Sequence, residues 1–326
     1  MKILVIGGRG LFGRKTVLHL LRDEEVSGVV AMGPNPPPEW FMRSLAAYAD
    51  KFHFVCGDVS RLEDILDAIQ SFSIQKVVNF AYLLGDDVEA NPRRSVKVNA
   101  LGMCNVFEAA RLLGVSRVVY ASSETVYGPQ DEYGDREVTE EDRLYPSHSY
   151  ALTKRLSEIL ADQYTKLYGM SITGIRPTIG YGHGGRAPMV VKWFSDVVSR
   201  PAIGEPVSFE DDGSSRFSLV SADDVAALTR ILLHAPATKY PVYNVGGPPT
   251  SLRDVADVVR RYLPEARIEF GSPPPSGSGL LRRLPWKVSI ARATEEFGFS
   301  LLSLEEAVLI HINDARAETG LVPLQM

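Results

Sequence analysis

Lys2-Ile3-Leu4-Val5-Ile6-Gly7-Gly8-Arg9-Gly10-Leu11-Phe12-Gly13 opens the chain and decides its fold. The apolar run does not alternate, so it reads as a strand buried on both faces, the kind that parallel sheets contain. Beyond the glycines, apolar residues at Leu11, Phe12, Val17, Leu18, Leu20 and Leu21 mark the buried side of a helix. Strand, glycine-rich turn and helix in that order make a phosphate cradle. One glycine forms the turn, one lets backbone approach a pyrophosphate, and one lets the helix pack against the strand. The pyrophosphate would sit on free N–H groups at the positive end of the helix. The spacing is Gly7-x-x-Gly10-x-x-Gly13, not the literal G-x-G-x-x-G of the common dinucleotide fingerprint.

The same alternation continues. Residues 2–6, 28–32, 52–56, 76–81 and 117–122 read as strands, and 11–22, 39–49, 61–71 and 92–113 as helices. Further strands are expected at 171–176 and 241–245, and a helix at 150–168. This predicts an α/β fold, a doubly wound parallel sheet of the Rossmann type with right-handed crossovers. Its ligand crevice belongs at the carboxyl ends of the strands, where Gly7, Asp58, Ala81 and Ser123 fall. From about residue 177 the pattern loosens. We therefore expect a dinucleotide-binding domain over 1–176, rejoined by 217–245, and a smaller C-terminal substrate-binding lobe over 177–216 and 246–326. The acidic run Asp131–Asp142 reads as a solvated loop at the rim of the substrate mouth. Gly271–Gly279, rich in proline, serine and glycine, reads as a flexible loop.

Tyr150 and Lys154 stand four residues apart and so share one face of the expected helix. An ammonium beside a phenol favours the phenolate, which would lower the tyrosine from its ordinary value of about 10 toward neutrality. Ser123 offers a hydroxyl to hold a carbonyl or carbinol oxygen. Together they can move a proton on and off an oxygen while a hydride leaves or reaches its carbon.

These features recur in order along nearly the whole chain. They are Gly7-x-x-Gly10-x-x-Gly13, Gly57-Asp58-Val59, Val77-Val78-Asn79-Phe80-Ala81, Val98-Asn99-Ala100-Leu101-Gly102, Ser122–Gly128, Tyr150-x-x-x-Lys154, Arg176-Pro177, Asp223-Asp224-Val225 and Tyr243-Asn244-Val245-Gly246. The combination resembles the extended short-chain dehydrogenase/reductases, in their NAD-dependent epimerase/dehydratase branch. The resemblance implies that Ser123, Tyr150 and Lys154 are catalytic and that NAD or NADP is the cofactor. It places the pyrophosphate on Gly7, Arg9, Gly10, Leu11, Phe12 and Gly13. Asp58 would take the adenine amine with Val59 beside the ring, although Asp58 also reads as the start of a helix. Phe80, Ala81 and Tyr82 would line the adenosine–pyrophosphate path. Tyr150, Lys154 and Pro177 would meet the nicotinamide end, and Asn99 would either tie backbone near the site or serve the cofactor. The family also implies a homodimer in which the helices at 92–113 and 150–168 pack as a four-helix bundle.

Departures from the family pattern bear on specificity. No Asp or Glu lies between Glu25 and Glu39, so the carboxylate that binds the ribose of NAD after the second strand is missing. Arg9 offers a partner for a 2′-phosphate, or is a solvent-exposed turn residue. Cofactor choice is open. Ile179 replaces the asparagine of nucleotide-sugar members, Phe217 stands where many carry an arginine, and Arg282-Arg283 replaces a late Arg-x-Gly-Asp-like element. Arg216, Arg282 and Arg283 could still clamp a diphosphate. Glu124 reads either as a further catalytic acid/base or as a carboxylate touching substrate hydroxyls.

A net charge of −5 gives no basic field for nucleic acid. No apolar stretch reaches the roughly 20 residues of a membrane helix. Cys56 and Cys104 make no disulfide framework, and no Cys/His cluster has metal-ligand spacing. With the first strand beginning at residue 2, no signal peptide precedes it, and a cytoplasmic location is expected. The expected activity is an NAD(P)-dependent oxidation or reduction of a secondary alcohol or ketone in a polyhydroxylated or sugar-like small molecule. The alternatives are a nucleotide-sugar epimerase/dehydratase with tightly bound NAD and a non-catalytic dinucleotide-binding regulator.

Overall fold

The central sheet takes its shape from strands with no polar face. In β1 (Lys2–Ile6), Ile3 to Ile6 are all buried, which demands helices on both sides. The strands that follow are β2 (Gly28–Gly33), β3 (Phe52–Cys56), β4 (Lys76–Asn79), β5 (Arg117–Ala121), β6 (Ile172–Pro177), β7 (Ile179–Tyr181), β8 (Val207–Asp211), β9 (Arg216–Ser221), β10 (Val242–Val245), β11 (Pro249–Ser251) and β12 (Ile268–Ser272). Seven of them form one parallel sheet in the order β10-β6-β5-β4-β1-β2-β3. The expected strands are all present. This computed structural model describes residues 1–185, 189–272 and 284–325, except the side chain of Asp86. Most of the expected loop at 271–279 therefore lies outside the described residues, as do Arg282 and Arg283.

The helices are α1 (Leu11–Leu21), α2 (Glu39–Ser44), α3 (Leu62–Phe72), α4 (Asp86–Ala90), α5 (Pro92–Ser95), α6 (Gly102–Leu112), α7 (Ser149–Tyr168), α8 (Met189–Ala202), α9 (Ala222–His234), α10 (Leu252–Tyr262), α11 (Ala291–Phe297) and α12 (Leu304–Glu318). One apolar core, with Ile3, Val5, Val17 and Leu232, lies under α1 and α9; another, with Leu4, Val77, Phe107 and Tyr120, lies under α3 and α6. A third core joins α8, α10 and α12 through Phe194, Val255 and Ile312. It is covered by two small sheets, β11-β9-β7 and β12-β8. β9 divides its side chains between cores: Val220 faces the first, Phe217 and Leu219 the third.

Two expected helices differ in detail. The one read at 39–49 stops at Ser44 and ends in a 3₁₀ turn, Ala46–Tyr48. The one read at 92–113 contains a π-helical turn, Val96–Leu101, between α5 and α6. That turn carries Asn99, whose side-chain oxygen accepts from Leu83 N (2.7 Å) and whose amide donates to Leu83 O (3.1 Å). Periodicity alone does not register a one-residue bulge.

The acidic segment is exposed at Asp131, Glu132, Asp135, Glu137 and Glu141, as a solvated loop should be, but it is anchored at three points. Glu140 accepts from the Asn244 backbone N–H on β10, and Val138 pairs with Val288 in an isolated bridge. Asp142 is held by Arg136. The segment packs onto the 287–292 stretch, and none of it lines the main cavity.

Candidate active site

Two glycines set the start of the site. Gly7 has φ +81°, and a Cβ there would lie 2.7 Å from the Phe80 and Ala81 backbone. A Cβ on Gly13 would lie 2.2 Å from Gly7 O. The start of α1 is thus pressed against the ends of β1 and β4. Gly10 behaves otherwise: its Cβ would meet only Gly7 O, at 3.3 Å. Gly10, which is exposed, lines the cavity together with Leu11, Phe12 and Gly13 of the first turn of α1, a turn whose N–H groups have no intrahelical acceptors. This is the cradle a pyrophosphate needs, so these residues fit a dinucleotide.

At the other end, α7 presents Tyr150, Lys154 and Glu158 on one buried face, a turn apart each. His148 caps the helix, accepting from Ala151 N at 3.5 Å, and its ring stacks on Tyr150. Ser123, just past β5, lines the same cavity as Tyr150, and its hydroxyl favours the Tyr150 phenolate. Lys154 donates to Ala121 O at 2.7 Å, with its Nζ 3.9 Å from the Tyr82 ring centroid and 5.5 Å from that of Tyr150. Behind this face Glu158 accepts from Arg176 twice (2.7 and 2.9 Å) and from Ser122 (2.6 Å) and Arg155 (3.0 Å). Arg176 also donates to the Tyr127 hydroxyl, which in turn donates to Asn244.

The electrostatics depart from the expected depression of the phenol. Burial pushes Tyr150 well above its ordinary value, Tyr82 adds to that, and the nearby Ser123 hydroxyl opposes it. The lysine does not reverse this, because its amine is spent on Ala121 O and is itself desolvated. Burial brings Lys154 down to about 7, against the pull of Glu158. The phenol is held neutral and the amine is poised near neutral pH. Burial also pushes the Glu124 carboxyl well above its usual range.

A cavity of about 1150 Å³ joins the two ends. Of the residues expected at the site it brings together Arg9, Gly10, Leu11, Phe12, Gly13, Phe80, Tyr82, Ser123, Glu124, Tyr150 and Pro177. Lys154 lies behind Tyr150 and Gly7 beneath the turn. Five others lie off the cavity wall. Asp58 is exposed and its carboxylate accepts from Ser60 N. Val59 is buried beside Gly102, and Ala81 N donates to Asn79. Asn99 holds Leu83, as above. Arg216 donates to Pro249 O, away from the cavity.

Sequence reasoning missed Arg14, Trp40, His183 and Glu318, which all line the cavity. Arg14 lies under Trp40 (5.2 Å to the ring centroid) and donates to His183 O. His183 bonds Glu318 at 2.6 Å. Only Arg14, directly after the third glycine, carried a local signal; the rest meet by tertiary folding. Among the described residues no His/Cys/Asp/Glu group could hold a metal.

The profile of the NAD dependent epimerase/dehydratase family matches residues 3–246. The chain is 30% identical over 264 residues to a UDP-glucose 4-epimerase of Mycolicibacterium smegmatis, covering 78% of this chain and 80% of that protein. It is 26% identical to a UDP-glucuronate 4-epimerase of Thermodesulfobacterium geofontis, covering 66% and 65%. Among solved structures it is similar in fold to a partial-consensus L-threonine 3-dehydrogenase (TM-score 0.82, 20% identity, 97% of this chain and 100% of that one). It is also similar in fold to the Thermus thermophilus UDP-glucose 4-epimerase complex with NAD (TM-score 0.78, 24% identity, 97% and 99%).

The Lys154 shift predicts a pH dependence of stability. With a folded value of about 7 against an ordinary 10.5, the unfolded chain binds the extra proton between those limits. Lys154 therefore makes stability rise with pH across about 7 to 10.5, by at most about 1.4 kcal/mol per unit. Urea unfolding of wild type and Lys154→Met from pH 7 to 10 should show a stability difference that moves in favour of wild type as pH rises. A flat difference would show that the buried amine keeps its proton.

Proposed function

Because the chain belongs to the NAD-dependent epimerase/dehydratase family, we propose that it is an NAD(P)-dependent oxidoreductase of the extended short-chain type. Its substrate is a secondary alcohol or ketone within a polyhydroxylated or sugar-like small molecule. The observation that carries this reading is that Ser123 and Tyr150 line one cavity with the glycine turn, with the buried Lys154 one helical turn behind Tyr150. When bound, the cofactor supplies or accepts the hydride at the reacting carbon. Arg9, Gly10, Leu11, Phe12 and Gly13 would hold its pyrophosphate, with Phe80, Tyr82 and Pro177 along its path.

In the reducing direction the neutral Tyr150 phenol donates its proton to the carbonyl oxygen, which Ser123 holds in place. In the oxidising direction the phenolate takes the carbinol proton. Lys154, near 7, sits one helical turn away to stabilise that phenolate by charge. The Glu124 carboxyl, pushed well above its usual range by burial, stands next to Ser123 in the same cavity and would be a second acid there. Epimerisation is the second reading, favoured by two of the relatives, which are named a UDP-glucose and a UDP-glucuronate 4-epimerase. The same residues would serve it with no net change in cofactor, so a lasting change at 340 nm with candidate alcohols separates the two. A purely regulatory dinucleotide-binding role leaves the buried Ser123–Tyr150–Lys154 arrangement without a use.

No helix among the described residues is long and apolar enough to cross a membrane. One face of α7 nevertheless exposes Leu152, Leu156, Ile159 and Leu167, beside exposed Val96 and Leu101 on the neighbouring helical run. This stripe supports a two-fold dimer with these helices at its centre.

Removing the phenolic hydroxyl should remove the acid. Tyr150→Phe is expected to lower turnover by about 10²–10⁴ with little change in cofactor affinity; normal turnover in the variant would refute the assignment. Cofactor choice follows from charge: Arg9 lines the cavity, and no carboxylate lies between Glu25 and Glu39 to repel a 2′-phosphate. NADP should bind at least comparably to NAD, and Arg9→Ala should weaken NADP by about 1.5–3 kcal/mol while sparing NAD. Strong wild-type preference for NAD, with no selective effect of the substitution, would assign ribose recognition elsewhere. For assembly, light scattering at micromolar concentration should report a dimer, and Leu156→Lys should shift it toward monomer. A wild-type monomer would count against the interface.

A further inference from the structure

One corner of the cavity carries a carboxylate that neither proton transfer at Tyr150 nor the pyrophosphate cradle accounts for. A run of contacts leads to it from the glycine turn. Arg14 donates to Arg9 O (2.9 Å) and to His183 O (2.7 Å), so one guanidinium ties the turn to the loop after β7. Trp40 of α2, the helix that follows β2, lies against both partners. Its ring is 5.2 Å from the Arg14 guanidinium and 5.1 Å from the His183 ring, centre to centre. His183 bonds Glu318 Oε2 at 2.6 Å, and Ser199 holds its other ring nitrogen at 3.0 Å. Ser199 is fixed in turn by the buried His311, at 2.8 Å. Arg9, Arg14, Trp40, His183 and Glu318 all line the cavity, and α2 packs on α12.

Helix stability gives Glu318 no reason to be there. It is the last residue of α12, where the carbonyl end of a helix disfavours a carboxylate. The His183 ring offsets that placement while engaging only Oε2. The side chain is 42% exposed, so a ligand in the cavity can reach it. Beside it runs the segment after β2, which has no Asp or Glu between Glu25 and Glu39. From that segment a carboxylate ordinarily takes the ribose of NAD in dinucleotide folds. The chemistry is simple: two neighbouring ribose hydroxyls donate, and a carboxylate accepts both. We propose that Glu318 supplies this carboxylate from the far end of the chain, accepting from the adenosine ribose hydroxyls of NAD. His183 is its positioning residue. Arg9, tied to the same corner through Arg14, would meet the 2′-phosphate of NADP instead. Acid and cation thus let one corner serve either cofactor, the acid favouring the bare ribose and the cation the phosphorylated one. This rests on the reading of the cavity as a dinucleotide site, and it names the residue that sets the affinity for NAD.

Calorimetry on the full-length protein with NAD⁺ and NADP⁺ reads the ratio of the two dissociation constants. Glu318→Gln keeps the side-chain shape and removes the charge. It should weaken NAD⁺ by about 10-fold or more, the scale of a hydrogen bond to a charged group, and leave NADP⁺ unchanged or tighter. His183→Phe unseats the carboxylate without altering it, and should move the ratio the same way by less. ADP and 2′-deoxy-ADP locate the contact. Wild type should prefer ADP, and Glu318→Gln should abolish that preference, as a cycle between side chain and ligand hydroxyl requires. An unchanged ratio of NAD⁺ to NADP⁺ affinity in Glu318→Gln, folded by circular dichroism, overturns the ribose assignment and leaves the dinucleotide site standing. So does an equal loss of ADP and 2′-deoxy-ADP. Folded wild-type protein that binds neither NAD⁺ nor NADP⁺ removes the dinucleotide reading itself, and the ribose assignment falls with it.

Discussion

The site depends on one buried ion pair. Glu158 of α7 and Arg176 of β6 meet through two parallel hydrogen bonds, each side chain almost wholly out of water. Such a pair gives little net stability over an apolar substitute, but removing one partner strands a charge and costs about 3–5 kcal/mol. Its value is positional. Glu158 is one turn beyond Lys154 and two beyond Tyr150, so fixing it against β6 fixes the rotation of α7. The same carboxylate takes the Ser122 hydroxyl, which ties down the residue next to Ser123. Phenol, amine and serine are therefore indexed to one another through a group that lies off the cavity wall.

The glycine turn plays the matching part at the far end. It gains its shape from close approach: the Gly13 position has no space for even one carbon, while Gly10 is left open toward the cavity. Between the two ends Phe12 meets Phe80 edge to face, with centroids 6.1 Å apart, and Tyr82 meets Tyr150 at 6.0 Å. An apolar, aromatic wall thus runs from cradle to acid. It raises the cost of charge at Tyr150, Lys154 and Glu124 alike, which is why burial leads the causes of all three shifts.

The sheet was legible because its strands are short, apolar and regularly spaced, and each expected strand is present. The cradle and the Tyr150–Lys154 spacing were legible because they are local: a turn and an i, i+4 pair. Three things were not. The π turn at Val96–Leu101 is invisible to a 3.6-residue period. The acidic run at 131–142 is solvated over most of its length, as it looked, but the inward turn of Glu140 onto the Asn244 N–H, a partner about a hundred residues away, has no local signal. The phenol's direction of shift followed from depth rather than from its neighbour's charge, and depth is set by the whole fold.

Arg9 and Glu318 line the same cavity although they stand near opposite ends of the sequence. A ligand seated there grips segments from both extremes at once. Its binding energy then belongs to the entire folded chain, because opening either extreme releases it. By mass action it would raise the unfolding free energy by RT ln(1 + [L]/Kd) for the molecule as a unit. Occupancy would thus fuse sheet and lobe into a single cooperative block, and ligand level would set how often either half opens alone.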